Sequence, residues 1–305
     1  MRIVITGASG FFAWELIRQL KNDGRYSVAA VSSDVERAEK ILGYEDIEYF
    51  TNSQLLSGEA SLSAEDVVVH TAFCRQSAGD QLARSMDFSL DVFEKAVSAG
   101  VKGIINLSSQ SVYGGKKEEL PDEGGRLDPD YLYALAKSAS EIILKSAAKG
   151  GKTKYTNLRT ASLMGVSRFV PENVLYKFAV NALEGRDISI VGGKQKFSFL
   201  DVRDAAKATI LLTDRIDSGW DTAYNMGPLS QTGIVEMAEL VVDAAAEITG
   251  KRVNIDLTPQ DIVLNSGMDS RKLYSKLGWK PEYSFEQTVR DTVRYATVKN
   301  KIIQE

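Results

Sequence analysis

The chain of 305 residues carries a formal net charge of −4 and 44% hydrophobic residues, which suits one large soluble domain or two unequal ones and argues against a nucleic-acid binder relying on a strongly basic field. A single cysteine, Cys74, excludes an internal disulfide, and a single histidine, His70, excludes a multi-histidine metal site. No apolar run approaches the roughly 20 residues that span a membrane, so the expectation is a cytoplasmic protein with a small-molecule partner, no metal, no nucleic acid and no membrane contact.

In chain order, short β-rich runs alternate with helical patterns. "RIVITG" (2–7) reads as a buried strand and "AWELIRQLKND" (13–23) as a helix. "YSVAAVSS" (26–33) is the next strand, and "DVERAEKIL" (34–42) the next helix. "IEYF" (47–50), "DVVVHTAF" (66–73) and "KGIINLSS" (102–109) are further strands, with a helix over 83–100 stopped by Gly100. An Ala-rich amphipathic helix over 130–151 ends on two glycines, and "KYTNLRTASLM" (154–164) gives another strand. This alternation predicts an α/β fold, a Rossmann-type doubly wound parallel sheet with helices on both faces.

After Gly165 the rhythm changes. Helices "ENVLYKFAVNALEG" and "RDAAKATILLTD" flank "ISIVGGKQKFSFLDV", followed by "AYNMG", the helix "GIVEMAELVVDAAAEITG" and two short helical segments within 269–296. A smaller C-terminal α/β substrate domain is therefore expected to be interwoven with the first. Residues 1–165 and 196–226 would form the nucleotide-binding unit, and 166–195 and 227–305 the substrate-binding unit.

"TGASGFFA" spaces Gly7, Gly10 and Ala13 as G-x-x-G-x-x-A between the first strand and the first helix. A phosphate-binding turn belongs there: Gly7 tolerates unusual backbone angles, Gly10 lets the backbone approach a pyrophosphate, and the helix N-terminus offers free N–H groups. Gly7, Ser9, Gly10, Phe11 and Phe12 are the expected contacts to a nicotinamide dinucleotide. At the end of the second strand a carboxylate would hold a ribose 2′-hydroxyl, whereas a cation would suit a 2′-phosphate. Ser32 and Ser33 are uncharged and Arg37 lies one turn on, which favours NADP; Asp34 is the carboxylate that would favour NAD.

In "YLYALAK" (131–137) an α-helix, turning about 100° per residue, puts Tyr133 and Lys137 on one face and Tyr131 on another. A phenol is a poor base near neutrality, but an adjacent ammonium, together with the positive charge of an oxidised nicotinamide, would favour phenolate. Tyr133 could then exchange a proton with a substrate hydroxyl while Lys137 binds the cofactor ribose. Ser108, Ser109 and Ser111, at the end of the preceding strand, are the hydroxyls available to orient the substrate oxygen.

Together these residues resemble the extended short-chain dehydrogenase/reductase family, in its branch of NAD(P)-dependent epimerases and dehydratases. "TGASGFFA" is similar to that family's T-G-x-x-G-F-x-G, "VVVHTAF" to its V-h-H-x-A-x, "LSSQSVYGG" to its S-S-x-x-V-Y-G and "YALAK" to its Y-x-x-x-K. "LRTASLMG", "FSFLDVRDAAKA" and "LGWKP" follow its later landmarks. The resemblance implies Ser109 as the catalytic hydroxyl beside Tyr133 and Lys137. It also implies a cofactor-lining turn at His70, Thr71 and Ala72, and a homodimer formed through the helices matching 83–99 and 130–148.

The substrate side departs from the pattern. Phe197, Ser162 and Thr258 stand where nucleotide-sugar members carry arginine, asparagine and arginine, and a lost bidentate arginine removes a strong phosphate contact. Lys196 is adjacent, and Arg168, Lys177 and Lys194 are compensating charges or solvated ones. Gln110, following Ser109, is no acid able to protonate a leaving hydroxyl, which argues against a sugar 4,6-dehydratase. The expected function is an NAD(P)-dependent epimerase or oxidoreductase at a hydroxyl or ketone carbon of a sugar or nucleotide sugar. Its alternatives are a carbonyl reductase on a non-nucleotide substrate and a non-catalytic NADP-binding sensor.

Overall fold

The computed structural model describes residues 1–75, 79–115, 119–262 and 264–304, the side chains of 300–304 excepted. β1 (Arg2–Thr6) leads into α1 (Phe11–Asp23), β2 (Ser27–Ser32), α2 (Val35–Leu42), β3 (Glu48–Thr51), α3 (Asn52–Ser57), β4 (Asp66–His70), α4 (Gly79–Ser98) and β5 (Gly103–Ser109). A 3-10 turn over Gln110–Tyr113 precedes α5 (Leu132–Ala147), β6 (Lys154–Thr160), β7 (Ser162–Met164) and α6 (Val174–Leu183). Then come β8 (Ile188–Val191), β9 (Lys196–Phe197), β10 (Phe199–Asp201), α7 (Val202–Asp214), β11 (Ala223–Met226), β12 (Thr232–Gly233) and α8 (Ile234–Thr249). β13 (Ile255–Thr258), β14 (Asn265–Ser266), α9 (Arg271–Leu277) and α10 (Phe285–Gln304) close the chain. Among the described residues no helix is long and apolar enough to cross a membrane.

Seven parallel strands form the main sheet in the order β11-β6-β5-β4-β1-β2-β3. The near-continuous apolar runs of β1 and β4 suit strands covered on both faces. Ile3 and Ile5 pack with α1 and α7 on one side; Val4 and Val68 pack with Phe93 of α4 and Leu144 of α5 on the other. The strand order reverses between β1 and β4, and in such sheets the crevice outside the carboxyl ends of those strands takes the ligand. A further core joins α6, α8 and α10 through Leu175, Met237, Val241 and Val289. Leu273 and Leu277 of α9 and the following Trp279 pack back into the first core.

The alternating fold is the expected one, with local corrections. The strand expected over 154–164 is two: Ala161 N bonds Met226 O at 2.8 Å, and β7 then leaves the main sheet to pair with β10. The helix expected over 130–151 is shorter at both ends, and the one over 83–100 begins earlier. The strand expected over 66–73 stops at His70. Sequence reading missed α3, although Thr51 and Gln54 spell its capping box, with the Thr51 hydroxyl accepting from Gln54 N at 3.1 Å.

Candidate active site

The glycine turn lies at the carboxyl end of β1. Gly7 has φ +69°, and a Cβ there would sit 2.8 Å from Ala72 Cα, so a side chain would collide with the turn after β4. Gly10 N donates to Gly7 O at 2.8 Å and hands the chain to α1. That helix starts without a side-chain cap and with no acid in its first turn. Its unbonded N–H groups and partial positive charge are complementary to a diphosphate. A cradle that admits no Cβ beside an uncapped helix start fits a dinucleotide. Gly10, Phe11 and Phe12 line the adjoining cleft; Gly7 and Ser9 are not part of that lining.

At the end of β2, Ser32 is buried and its Oγ accepts from Asp34 N at 3.2 Å, while Ser33 is exposed. The Asp34 carboxylate caps α2 by accepting from Arg37 N at 3.0 Å, and the Arg37 side chain is exposed.

His70 is a strut between layers. Register sets Thr6 opposite His70, and Thr6 Oγ1 lies 2.9 Å from Nδ1 while Ser89 Oγ of α4 lies 2.9 Å from Nε2. Ser89 spends its hydroxyl proton on Ser85 O at 2.7 Å, so Nε2 donates to it and Nδ1 accepts from Thr6. Burial, aided by the charge of Lys137, pulls the imidazole down to about 3, keeping it neutral. Thr6 Oγ1 accepts from Thr71 N at 3.2 Å and Ala72 N at 3.4 Å, which shapes the turn facing Gly7. Thr71 lines the cleft, and His70 holds that turn from behind.

The cleft encloses about 750 Å3 and gathers Ser109, Tyr133 and Lys137. Lys137 Nζ donates to Leu107 O at 2.6 Å and lies 3.9 Å from the centre of the Phe73 ring. Burial pulls its ammonium down to about 7. The Tyr133 ring is partly open to the cleft, yet burial pushes its phenol up to about 12; Arg75 and a hydrogen bond with Ser109 act in the opposite direction. Lys137 by itself does not give the depression of the phenol expected from it together with an oxidised nicotinamide. Nζ lies 5.9 Å from the Tyr133 ring centre and is anchored to a strand carbonyl, so desolvation prevails. A cationic ring delivered to the cleft would pull the phenol back down.

Tyr131 also departs from expectation. The helix begins at Leu132, so Tyr131 is its extended N-cap, with φ −150°, and helical angles do not apply to it. Its ring stacks on Tyr133 with centroids 6.2 Å apart and lines the same cleft. Sequence reading also missed Phe73 and Arg75, both cleft residues immediately after the turn that holds Thr71. Their position directly after "HTA" was the available signal.

Beyond the Tyr133 side, Met164, Phe197 and Leu264 give the wall an apolar stretch. Among the described residues, Arg75 and Lys137 are the cations lining the cleft. Lys194 pairs with Asp261 on the surface, and Arg168, Lys177 and Lys196 lie outside the lining. Gln110 Nε2 donates to Ser162 Oγ at 3.1 Å, leaving Oε1 buried without a partner, as is Ser111 Oγ.

Residues 3–227 match the NAD dependent epimerase/dehydratase family. The chain belongs to that family. Its members are enzymes, so this chain is one, and its resemblance to the extended short-chain dehydrogenases holds. The dTDP-D-glucose 4,6-dehydratase of Mus musculus is 24% identical over 319 residues, covering 96% of this chain and 88% of the mouse protein. UDP-glucose 4-epimerase from Thermotoga maritima, solved with UDP-glucose, superposes with a TM-score of 0.83 at 24% identity, covering 98% of this chain and 100% of that one. UDP-glucuronic acid 4-epimerase from Bacillus cereus, solved with UDP-glucuronic acid and NAD, gives 0.84 at 18% identity, with the same coverage of 98% and 100%. The two structures establish the fold that this chain shares with them.

Proposed function

We propose that this enzyme epimerises a sugar or nucleotide sugar through a transient ketone, with Tyr133, Lys137 and Ser109 as its catalytic residues. The observation that carries the reading is their convergence in one cleft with the start of α1, whose glycine turn fits a dinucleotide. NAD supplies the hydride acceptor and donor when bound. Gly7, Ser9, Gly10, Phe11, Phe12, Thr71 and Ala72 would hold it, with Lys137 on its ribose. Ser32, Ser33 and the exposed Arg37 leave room for a 2′-phosphate, which supports acceptance of NADP alongside NAD.

Ser109 orients the substrate oxygen, and Tyr133 takes its proton as the carbon is oxidised, then returns it after the ketone has turned over. The protonated phenol suits the return step at neutral pH. Gln110 and Ser111 follow Ser109 where a dehydrating enzyme needs an acid and a base, which supports epimerisation although dehydratases are among the relatives. In this reading residues 1–165 and 196–226 hold the cofactor, and 166–195 and 227–305 shape the substrate side.

The test is incubation with UDP- and dTDP-hexoses, followed by proton NMR. The expected result is an inverted hydroxyl with no net NADH change; a 4-keto-6-deoxy product would overturn the reading. The apolar stretch at Phe197 favours a second reading, a carbonyl reductase on a non-nucleotide substrate, whose signature is stoichiometric NADH consumption.

We further propose a homodimer through α4 and α5, which pack together and leave Leu90, Leu132, Leu135 and Ile142 exposed. Leu135 and Ile142 lie seven residues apart on one face, and Ile142 is 66% exposed. Light scattering is expected to give twice the chain mass for the wild type and a monomer for Leu135→Glu/Ile142→Glu. A monomeric wild type at micromolar concentration refutes the dimer.

A further inference from the structure

Below the face of α5 that carries Tyr133 and Lys137 lies a buried polar network that the proposed chemistry does not use. Glu141 stands one turn beyond Lys137 on that face and is 6% exposed. Its carboxylate accepts from Ser108 Oγ at 2.5 Å, from Arg159 Nε at 3.0 Å and from Arg159 Nη2 at 2.7 Å. Arg159 Nη1 donates to Tyr113 OH at 2.7 Å, and that hydroxyl donates to Asn225 Oδ1 at 2.7 Å. Donors from β5 and β6 thus fix the carboxylate in place.

Lys137 needs such a neighbour. It is 3% exposed, and among the described residues its ammonium has a strand carbonyl and the rings of Phe73 and, more distantly, Tyr133 as partners. A buried cation without a compensating charge is costly. The other ionisable groups around it do not supply one. His70, from β4, is neutral; Tyr133, on its own helix, is a protonated phenol; Arg75, after β4, and Arg159, from β6, are cations. Among the described residues Glu141 is the carboxylate that stands one helical turn from Lys137 on the same face and is held by the same strand segment that docks the ammonium.

We propose that Glu141 is a positioning residue: locked by Arg159 and Ser108, its carboxylate keeps Lys137 charged and docked on the Leu107 carbonyl. The leucine that accepts from Lys137 directly precedes the serine that donates to Glu141, so strand β5 ties both side chains to one backbone segment. The functional value of this rests on the role of Lys137 given above, but its physical content does not. Burial pulls Lys137 down and the carboxylate one turn away opposes that, so removing it is expected to move the midpoint of Lys137 further down.

The experiment is an NMR titration of cofactor-free protein with lysines carbon-13 labelled at Cε, the Lys137 signal being assigned by its absence in Lys137→Arg. Glu141→Gln is expected to displace the midpoint to lower pH. Once the midpoint lies below the working pH, each further pH unit removes about tenfold of the charged form. NADH affinity measured across the same pH range should fall with it. Because Glu141→Gln strands Arg159 in the interior, Glu141→Gln/Arg159→Met is the companion variant; replacing a buried pair by neutral groups often restores stability. Restored melting temperature with a displaced midpoint supports the proposal. Restored melting temperature with the wild-type midpoint overturns it, leaving Glu141 a structural ion pair. A displaced midpoint in a protein that converts no sugar would sink the epimerase reading and leave this one standing.

Discussion

Tyr133→Phe is expected to lower kcat by roughly 10²–10⁴-fold, the range for losing a positioned proton-transfer group, while NADH affinity stays unchanged. The substitution removes one hydroxyl from a ring that keeps its neighbours: Phe73 edge-on with centroids 6.0 Å apart, and Tyr131 stacked at 6.2 Å. Shape and stability should therefore be retained. Fluorescence titration with NADH and single-turnover kinetics separate the two effects. An unimpaired chemical step would remove Tyr133 from the mechanism, and lost NADH binding would recast it as a cofactor contact.

Gly7→Ala is expected to abolish NADH binding and to lower the melting temperature. Two costs add at this position. A non-glycine residue at φ +69° pays about 1–2 kcal/mol for the left-handed conformation. The new methyl would also lie 2.8 Å from Ala72 Cα and 2.9 Å from Ala72 N, backbone atoms that cannot swing aside. Gly24 provides the control, because it has φ +72° with nothing within 4 Å. Gly24→Ala should show the conformational cost alone and leave NADH binding intact. Equal losses in the two variants would mean that the approach of β1 to the turn after β4 does not matter.

Much of the architecture was readable because periodicity and punctuation report local physics. The apolar runs of β1, β4 and β5 and the glycine-stopped helices needed no tertiary information. What escaped was set by partners distant in sequence. Nothing within 154–164 announces that Ala161 bonds to Met226 and that β7 goes to another sheet. The placement of Tyr131 failed because angular reasoning holds only inside a helix, and the first helical residue is Leu132. The Tyr133–Lys137 pairing was legible from spacing; the protonation of each was not. Whether charge or desolvation governs a phenol depends on how deeply the rest of the chain buries it, and sequence spacing carries no such depth. Glu141 shows the same limit, since its partners come from strands β5 and β6.

The departure of β7 from the main sheet also bears on how this enzyme could change its substrate over evolutionary time. β6 of the main sheet and β7, which leaves it, are separated by Ala161 alone, and both Thr160 and Ala161 border the cleft. β10, its partner, runs straight into α7, which packs on α1. Among the described residues the main sheet and the β7–β10 pair are thus joined without an intervening linker. A change of substrate is therefore expected to come from point substitutions along the cleft wall, at positions such as Gln110, Phe197 and Leu264.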